Sequence, residues 1–443
     1  MSEQESIQTW LKEHDIEDVE AFVPDMAGAA RGKVIPAAKF GKGELKLPEA
    51  IFGQTVSGNY VTNEDNVEDR DMLLSADADS LRPVPWTVDK AASIFLDCYH
   101  KDGKPVQTSP RRVLRNVLDL FKEKGWQPIV APEVEFYLIN PHSDPNQEVE
   151  PPEGRLGRTE TSKQPYSIDM MNDFDPFIND VYKFCEDQDI RIDTLSQEMG
   201  PAQFELNFLH GEAVSLADQV FLFKRTVREA AIAHEMHATF LARPISEAPG
   251  SALHVHQSVV DEQGNNIFSD KHGKPSKLFM SYIGGLQKYM PEALLIFAPY
   301  ANSYRRFLSY YSSPVNLSWA VDNRTVGLRV PDSDPQARRV ENRVAGSDVN
   351  PYLAIAASLA CGYLGMTEKL KPSPPIEGSA YDQPFSLHPY LYEAIKAMEN
   401  SEAMRKTLGD KFVTLYCAVK DSECKEFQEI VTPWEREVLL FNV

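Results

Sequence analysis

The stretch Ala131-Pro132-Glu133-Val134-Glu135-Phe136-Tyr137 decides how this chain is read. It follows Gly125, a helix-ending residue, and is apolar wherever it is not glutamate, which predicts a buried strand. Alternate residues of a strand face the same side, so Glu133 and Glu135 project together. Two carboxylates on one face of an apolar strand repel each other and are costly to desolvate, so a positive group belongs beside them. A half-exposed amphipathic strand would account for one such pair. It does not account for the recurrence downstream.

Leu253-His254-Val255-His256-Gln257-Ser258 sets His254, His256 and Ser258 on one side. In Gln197-Glu198-Met199-Gly200-Pro201-Ala202-Gln203-Phe204-Glu205, a Gly-Pro turn separates Glu198 from a strand carrying Gln203 and Glu205. Arg338-Arg339-Val340-Glu341-Asn342-Arg343 places Arg339, Glu341 and Arg343 together. Strands of one design predict a single antiparallel sheet whose concave face carries Glu, His and Arg. An oxygen-rich shell with one imidazole suits Mg²⁺ or Mn²⁺, whereas zinc sites draw on Cys and more than one His. Divalent ions with nearby arginines equip a site for phosphoryl transfer. Arg324, Arg329, Arg339 and Arg343 are candidates for that clamp, and Arg338 is read as a surface ion-pair residue.

The rest of the chain fits an α+β protein. Residues 6–15 predict a short helix, and Val19–Ile35 two strands joined at Asp25-Met26-Ala27-Gly28. The turn-rich part to about residue 100 includes the strand-like run Ser93–Asp97 and an acidic run, Glu64–Asp71, read as a solvated loop. Ser109-Pro110 supplies a helix start. Further helices are expected at about 170–187, 216–237, 276–297, 350–369 and 409–431, with a surface loop over 141–163. The run Tyr352–Met366 is apolar all round but too short for a bilayer, so it predicts a core helix.

Composition excludes several classes. The 443 residues carry a net charge of -21, which argues against a nucleic-acid partner. There is no spanning apolar run and no secretory leader, so a cytoplasmic protein without membrane contact is expected. The five cysteines are scattered without a CxxC pair and read as free thiols. His234-Glu235-Met236-His237 falls one residue short of a zinc-protease motif, and Gly53–Gly58 lacks the lysine of a phosphate loop.

Taken in order, P-E-V-E-F, E-M-G-P-A-Q-F-E, G-S-A-L-H-V-H-Q-S, N-S-Y-R-R, N-R-T-V-G-L-R-V-P, R-R-V-E-N-R and N-P-Y-L resemble the motif series of the glutamine synthetase family, from Arg31-Gly32-Lys33 to Thr432-Pro433-Trp434-Glu435. The resemblance implies an N-terminal β-grasp domain (1–107) and a catalytic domain (108–443) with a curved antiparallel sheet flanked by helices. It also implies a homo-oligomer, a dodecamer of two hexameric rings, using ATP and two to three Mg²⁺ or Mn²⁺ ions per site. By position, Glu135, Glu198 and Glu205 resemble the ligands of the first metal, and Glu133, His254 and Glu341 those of the second. His256, Ser258, Arg329 and Arg339 fall at the nucleotide, and Gly250, Arg306, Arg324 and Arg343 at glutamate. Arg306, Arg324 and Arg339 take catalytic positions.

Two departures bear on the acceptor. Glutamine synthetases bind and deprotonate ammonium with an aspartate and a glutamate, and those positions align here with Phe52 and Ser312. Losing both anions removes the electrostatic reason for ammonium to dwell there. The resemblance is therefore to the γ-glutamylpolyamine (glutamate–putrescine) synthetase branch, with Phe52, Tyr310, Tyr311 and Ser312 as candidate amine-site residues. A carboxylate from Glu64–Asp71 is expected to meet the distal ammonium. A monoamine ligase and ordinary glutamine synthetase are the neighbouring readings, and a non-catalytic structural relative the one from another class. A third departure puts Pro249 where the family has an asparagine that helps seat glutamate.

Overall fold

The computed structural model describes residues 3–61, 69–142, 144–160, 163–307 and 313–443. Two sheets organise them. The first holds β1 (Asp18–Pro24), β2 (Ala30–Pro36), β3 (Leu45–Pro48), β4 (Asp71–Ala76), β5 (Arg82–Val84) and β6 (Ala91–Tyr99), in the order β2-β1-β6-β4-β3 with β5 beside β6. Its β1–β6 pair is parallel while every other pair is antiparallel, the mixed pattern of a β-grasp unit. Helix α1 (Glu3–Glu13) turns Ile7 and Leu11 into this unit.

The second sheet follows α2 (Pro110–Lys122). Its strands are β7 (Trp126–Ile139), β8 (Ile192–Gln197), β9 (Gln203–Phe208), β10 (His237–Thr239), β11 (Leu253–Asp261), β12 (Trp319–Val321), β13 (Leu328–Val330) and β14 (Val340–Asn342). They run in the order β12-β13-β14-β11-β7-β9-β8, with β10 on the far end of β7. The four strands read from sequence do lie in one sheet. The expected all-antiparallel pattern fails at one edge, where β12 and β13 pair parallel. A register shift between Ile192 and Thr194 bends β8 at the other edge.

One contiguous apolar core serves both sheets. Val134 and Phe136, which alternate with the glutamates of β7, are fully buried on its inner face, where Phe136 stacks on Phe204 at 5.7 Å. Helices α5 (Ala213–Ala233), α6 (Lys277–Phe297) and α7 (Pro351–Glu368) cover that face. Helix α7 is buried nearly all round, as its unbroken apolar run predicts. Its N-cap Asn350 accepts from Tyr352 and Leu353 and donates to the Asp25 carbonyl, which ties the β1–β2 turn to the core helix. Arg225 with Glu20, and Arg111 with Asp77, Asp97 and Asp218, make further ties between the two units.

The expected 170–187 helix is two, α3 (Ile168–Asp173) and α4 (Asp175–Asp187), because Asp175-Pro176 restarts the helix after Phe174. The expected 216–237 helix stops at Ala233, since Glu235 takes a left-handed turn (φ 57°) into β10. Ser109 holds the N-cap position of α2 but makes no side-chain cap bond. Helices α8 (Leu391–Glu399) and α9 (Glu402–Leu408), which lead into α10 (Asp410–Gln428), were not signalled by an apolar stripe long enough to read. The described residues of 141–160 carry no helix or sheet strand, in keeping with a loop. The acidic run lies outside the described residues at 64–68, and its last member, Asp71, opens β4. Among the described residues no helix is long and apolar enough to cross a membrane.

Candidate active site

Strand register assembles the acidic face. Glu205 of β9 lies opposite Glu135 of β7, and Glu133 of β7 lies opposite His254 of β11. One step on, His256 lies opposite Glu341 of β14, and Glu341 opposite Arg329 of β13. Directly opposed residues bring their side chains together. Glu198 joins them from the turn after β8. Three groups result in which one ligand atom per residue lies within 4.8 Å of the others: Glu135–Glu198–Glu205, Glu133–Glu205–His254 and Glu133–His256–Glu341. His254 Nδ1 is 3.1 Å from Glu133 and 3.7 Å from Glu341. The structure thus brings together both residue sets that the family resemblance implied, and adds His256, whose Nε2 is 2.9 Å from Glu133.

The electrostatics divide the row in two. Burial raises Glu135 to about 8, with the charge of Glu198 adding to it. Burial likewise raises Glu198, and lifts Glu205 well above its usual value with help from Glu133, Glu135 and Glu198. On the other side burial also opposes ionisation of Glu133, but hydrogen bonds from His254 and His256 outweigh it and hold the carboxyl far below its usual range. Glu341 is held down to about 2 against burial, chiefly by Arg343. Burial and Arg343 push His254 down to about 4, so its imidazole is neutral and fit to ligate.

These donors fit divalent cations. The Glu205 carboxylate accepts no hydrogen bond among the described residues, and the carboxyls of Glu133, Glu135 and Glu198 crowd it against the single opposing charge of Arg343. Such a group is relieved by a proton or by a bound cation. Glu135, Glu198 and Glu205 would hold one ion, and Glu133, His254 and Glu341 another. An ion bound there would offset the carboxylates and draw charge from phosphoryl oxygens.

The arginines sort by burial. Arg329 gives one nitrogen to Glu341 at 2.9 Å and another to Asp322 at 2.8 Å. Arg343 pairs with the other oxygen of Glu341. Arg306 is buried and donates to the carbonyls of Val344 and Arg343. Arg324 is exposed on the turn before β13, close enough for its charge to act on Glu198. Arg339 donates to His256 at 3.2 Å, and the two residues line a cavity of about 630 Å³ with Ser258 and Glu133. A cavity of that size next to the second carboxylate group accommodates a nucleotide. Arg338, read as a surface ion pair, instead bonds to Ser269 Oγ and the Gly273 carbonyl, a structural clasp.

Gly250 sits against Arg306: a Cβ there would lie 2.7 Å from Arg306 Cγ and 2.6 Å from the Ala242 carbonyl. Its own carbonyl accepts from Gln203, which also reaches Ser251 Oγ and Glu135 while receiving the Gly200 N–H. Tyr137 donates to the Pro249 carbonyl, so the proline that replaces the family's asparagine is anchored through its backbone. Gln203 and Tyr137 were legible only as strand residues beside the glutamates. Phe52 is fully buried in the apolar core and in this chain shows no side-chain surface to a ligand. Tyr310, Tyr311 and Ser312 lie outside the described residues.

Comparison with known proteins gives the same direction. The profile described as "Glutamine synthetase, catalytic domain" matches residues 107–439. The chain belongs to the glutamine synthetase family. Within that family it is 34% identical to the gamma-glutamylputrescine synthetase PuuA of Escherichia coli (strain K12), over 96% of this chain and 92% of that protein. It is 33% identical to a glutamate–isopropylamine ligase of a Pseudomonas species, over 97% and 96%. A solved GmaS/ADP complex superposes with a TM-score of 0.84 at 26% identity, covering 98% of this chain and 99% of that one. The fold is therefore the glutamine synthetase fold, with its mixed sheets and flanking helices.

Proposed function

We propose that this chain is an ATP-dependent ligase that joins the γ-carboxyl of glutamate to a primary amine, with putrescine or another polyamine as acceptor. The carrying observation is the single row Glu205–Glu135–Glu133–His254–His256–Glu341, bordered by arginines, in a chain similar to a gamma-glutamylputrescine synthetase and a glutamate–isopropylamine ligase. In this reading the γ-phosphoryl group of ATP passes to the glutamate side-chain oxygen. The amine then attacks the acyl carbon, and phosphate leaves.

Roles follow from position. His256, Ser258 and Arg339 line the nucleotide cavity, and Arg329 sits behind Glu341. Arg306, buried against Gly250, and Arg343, paired with Glu341, are the cations we assign to glutamate, and the exposed Arg324 can swing towards the transferring phosphoryl group. Glu133, Glu135, Glu198, Glu205, His254 and Glu341 keep the places of the metal ligands, with Mg²⁺ or Mn²⁺ as the ion. Tyr310, Tyr311 and Ser312 remain our amine-site residues, whereas Phe52, buried in the apolar core of its own chain, offers no surface to an amine and leaves that set. The assembly we propose is a cytoplasmic dodecamer, with a division of the chain into residues 1–107 and 108–443.

The test is phosphate release with Mg²⁺, ATP and glutamate, offering putrescine, spermidine, isopropylamine, methylamine, ethanolamine, ammonium or no acceptor, with products weighed by mass spectrometry. Turnover with putrescine or spermidine over ammonium supports the proposal. The isopropylamine ligase relative favours a monoamine as the second reading, which preferential turnover of isopropylamine would establish. Preference for ammonium would make the chain an ordinary glutamine synthetase. No turnover with any acceptor would point to the non-catalytic relative.

A further inference from the structure

Away from the carboxylate row, a cavity of about 730 Å³ opens between the β1–β2 turn, helix α5, the segment 299–305 and the end of α10. Much of its wall is apolar, including Val56, Leu241, Phe427 and Ile430. Three cations also line it: Lys224, Arg228 and Arg305. Lys224 and Arg228 stand one turn apart on α5 and flank the Phe240 ring, with Nζ and Cζ at 5.4 and 5.1 Å from its centroid. Arg305 lies over Phe427 at 5.9 Å.

None of the three has a carboxylate partner among the described residues. Lys224 Nζ donates to the carbonyls of Ser347 and Val349, which leaves one N–H, and the guanidinium groups of Arg228 and Arg305 make no hydrogen bond there. The acids of the same wall are engaged, except for one buried oxygen of Asp348 that has no hydrogen-bond partner among the described residues. Glu423 takes Lys420 at 2.8 Å and the Val56 N–H at 2.7 Å, Glu426 takes Ser57 at 2.7 Å, and Asp348 takes Ser303 at 2.6 Å. In a chain with 66 acidic and 45 basic residues, cations left unpaired around an apolar cavity are the unexpected feature. The aromatic faces beside them, and the burial of Lys224, strengthen the pull of this group on an anion.

We propose that this cavity binds an amphiphilic carboxylate, a hydrocarbon or aromatic body with one anionic head, the body on the apolar wall and the head between Arg228, Arg305 and Lys224. The volume lies in the range of small-molecule sites. The three cations supply the charge-assisted hydrogen bonds that carbonyl groups alone would not need.

Titration calorimetry on the full-length protein, with glutamate saturating, tests it with octanoate and its neutral isostere octanamide. Octanoate should bind, with octanamide weaker by about tenfold, the worth of one charge-assisted contact. Arg228→Gln and Arg305→Gln should each weaken octanoate several-fold and leave octanamide unchanged, and Arg228→Lys should restore part of the loss. Both arginines are exposed, so the variants should melt with the parent, which a thermal scan checks. Equal affinity for the two compounds, octanoate affinity unmoved in the double variant, or no binding by either would overturn the proposal.

Discussion

Glu205→Gln should make the metal-free protein more stable while removing most of its response to metal. Glu205 accepts no hydrogen bond among the described residues and shares 4.8 Å groupings with Glu135 and Glu198, and with Glu133 and His254. Two full charges at that separation repel by about 3 kcal/mol at an effective dielectric near 20. Proton uptake by the raised carboxyls relieves part of this, so a gain of roughly 2 kcal/mol is expected on neutralising Glu205. A divalent ion reverses the balance. At a hundredfold excess over its dissociation constant it should stabilise the parent by about 2.7 kcal/mol, and a lost carboxylate ligand should remove most of that. The assay is urea unfolding of parent and variant near neutral pH, with EDTA and then with Mg²⁺ or Mn²⁺. If the variant is less stable in EDTA, Glu205 has a structural partner and the reasoning fails. An undiminished metal shift would equally refute it.

Three further outcomes follow from packing and charge. Gly250→Ala should push Arg306 off its seat, because the new Cβ would meet Arg306 Cγ at 2.7 Å; the KM for glutamate should rise about tenfold or more with that for ATP little changed, in steady-state assays. Gly365→Ala should cost about 3 kcal/mol in chemical denaturation, since its Cβ would lie 2.2 Å from the Ser281 carbonyl where α6 and α7 cross at Gly285. Lys224 is depressed from 10.5 to about 7 by burial and by Arg228, so the unfolded chain holds its proton more tightly. Its cost is therefore complete below the folded value and fades as pH rises toward the unfolded one. Parent stability should gain up to about 1.4 kcal/mol per pH unit relative to Lys224→Met across that window, measured by urea unfolding at stepped pH.

What the sequence determined by itself was the face. A period of two is a local property of the backbone, so Glu133 with Glu135, His254 with His256, and Glu341 with its arginines were legible before any contact was known. The same holds for the core helix α7, whose apolar run needs no partner to be recognised, and for the hairpin about Asp25–Gly28. Local patterns do not fix register, however, because sliding a strand by two residues preserves its face and changes every neighbour. Only the tertiary structure decided that Glu133 serves both histidines, that Glu341 is shared by Arg329 and Arg343, and that Gln203 ties Glu135 to Gly250. It also decided that Phe52 is buried within its own chain, and that Lys224, Arg228 and Arg305 surround one cavity with residues as distant in sequence as Val56 and Ile430. Such contacts depend on how separate elements close on a common core, and no short stretch of chain carries that information.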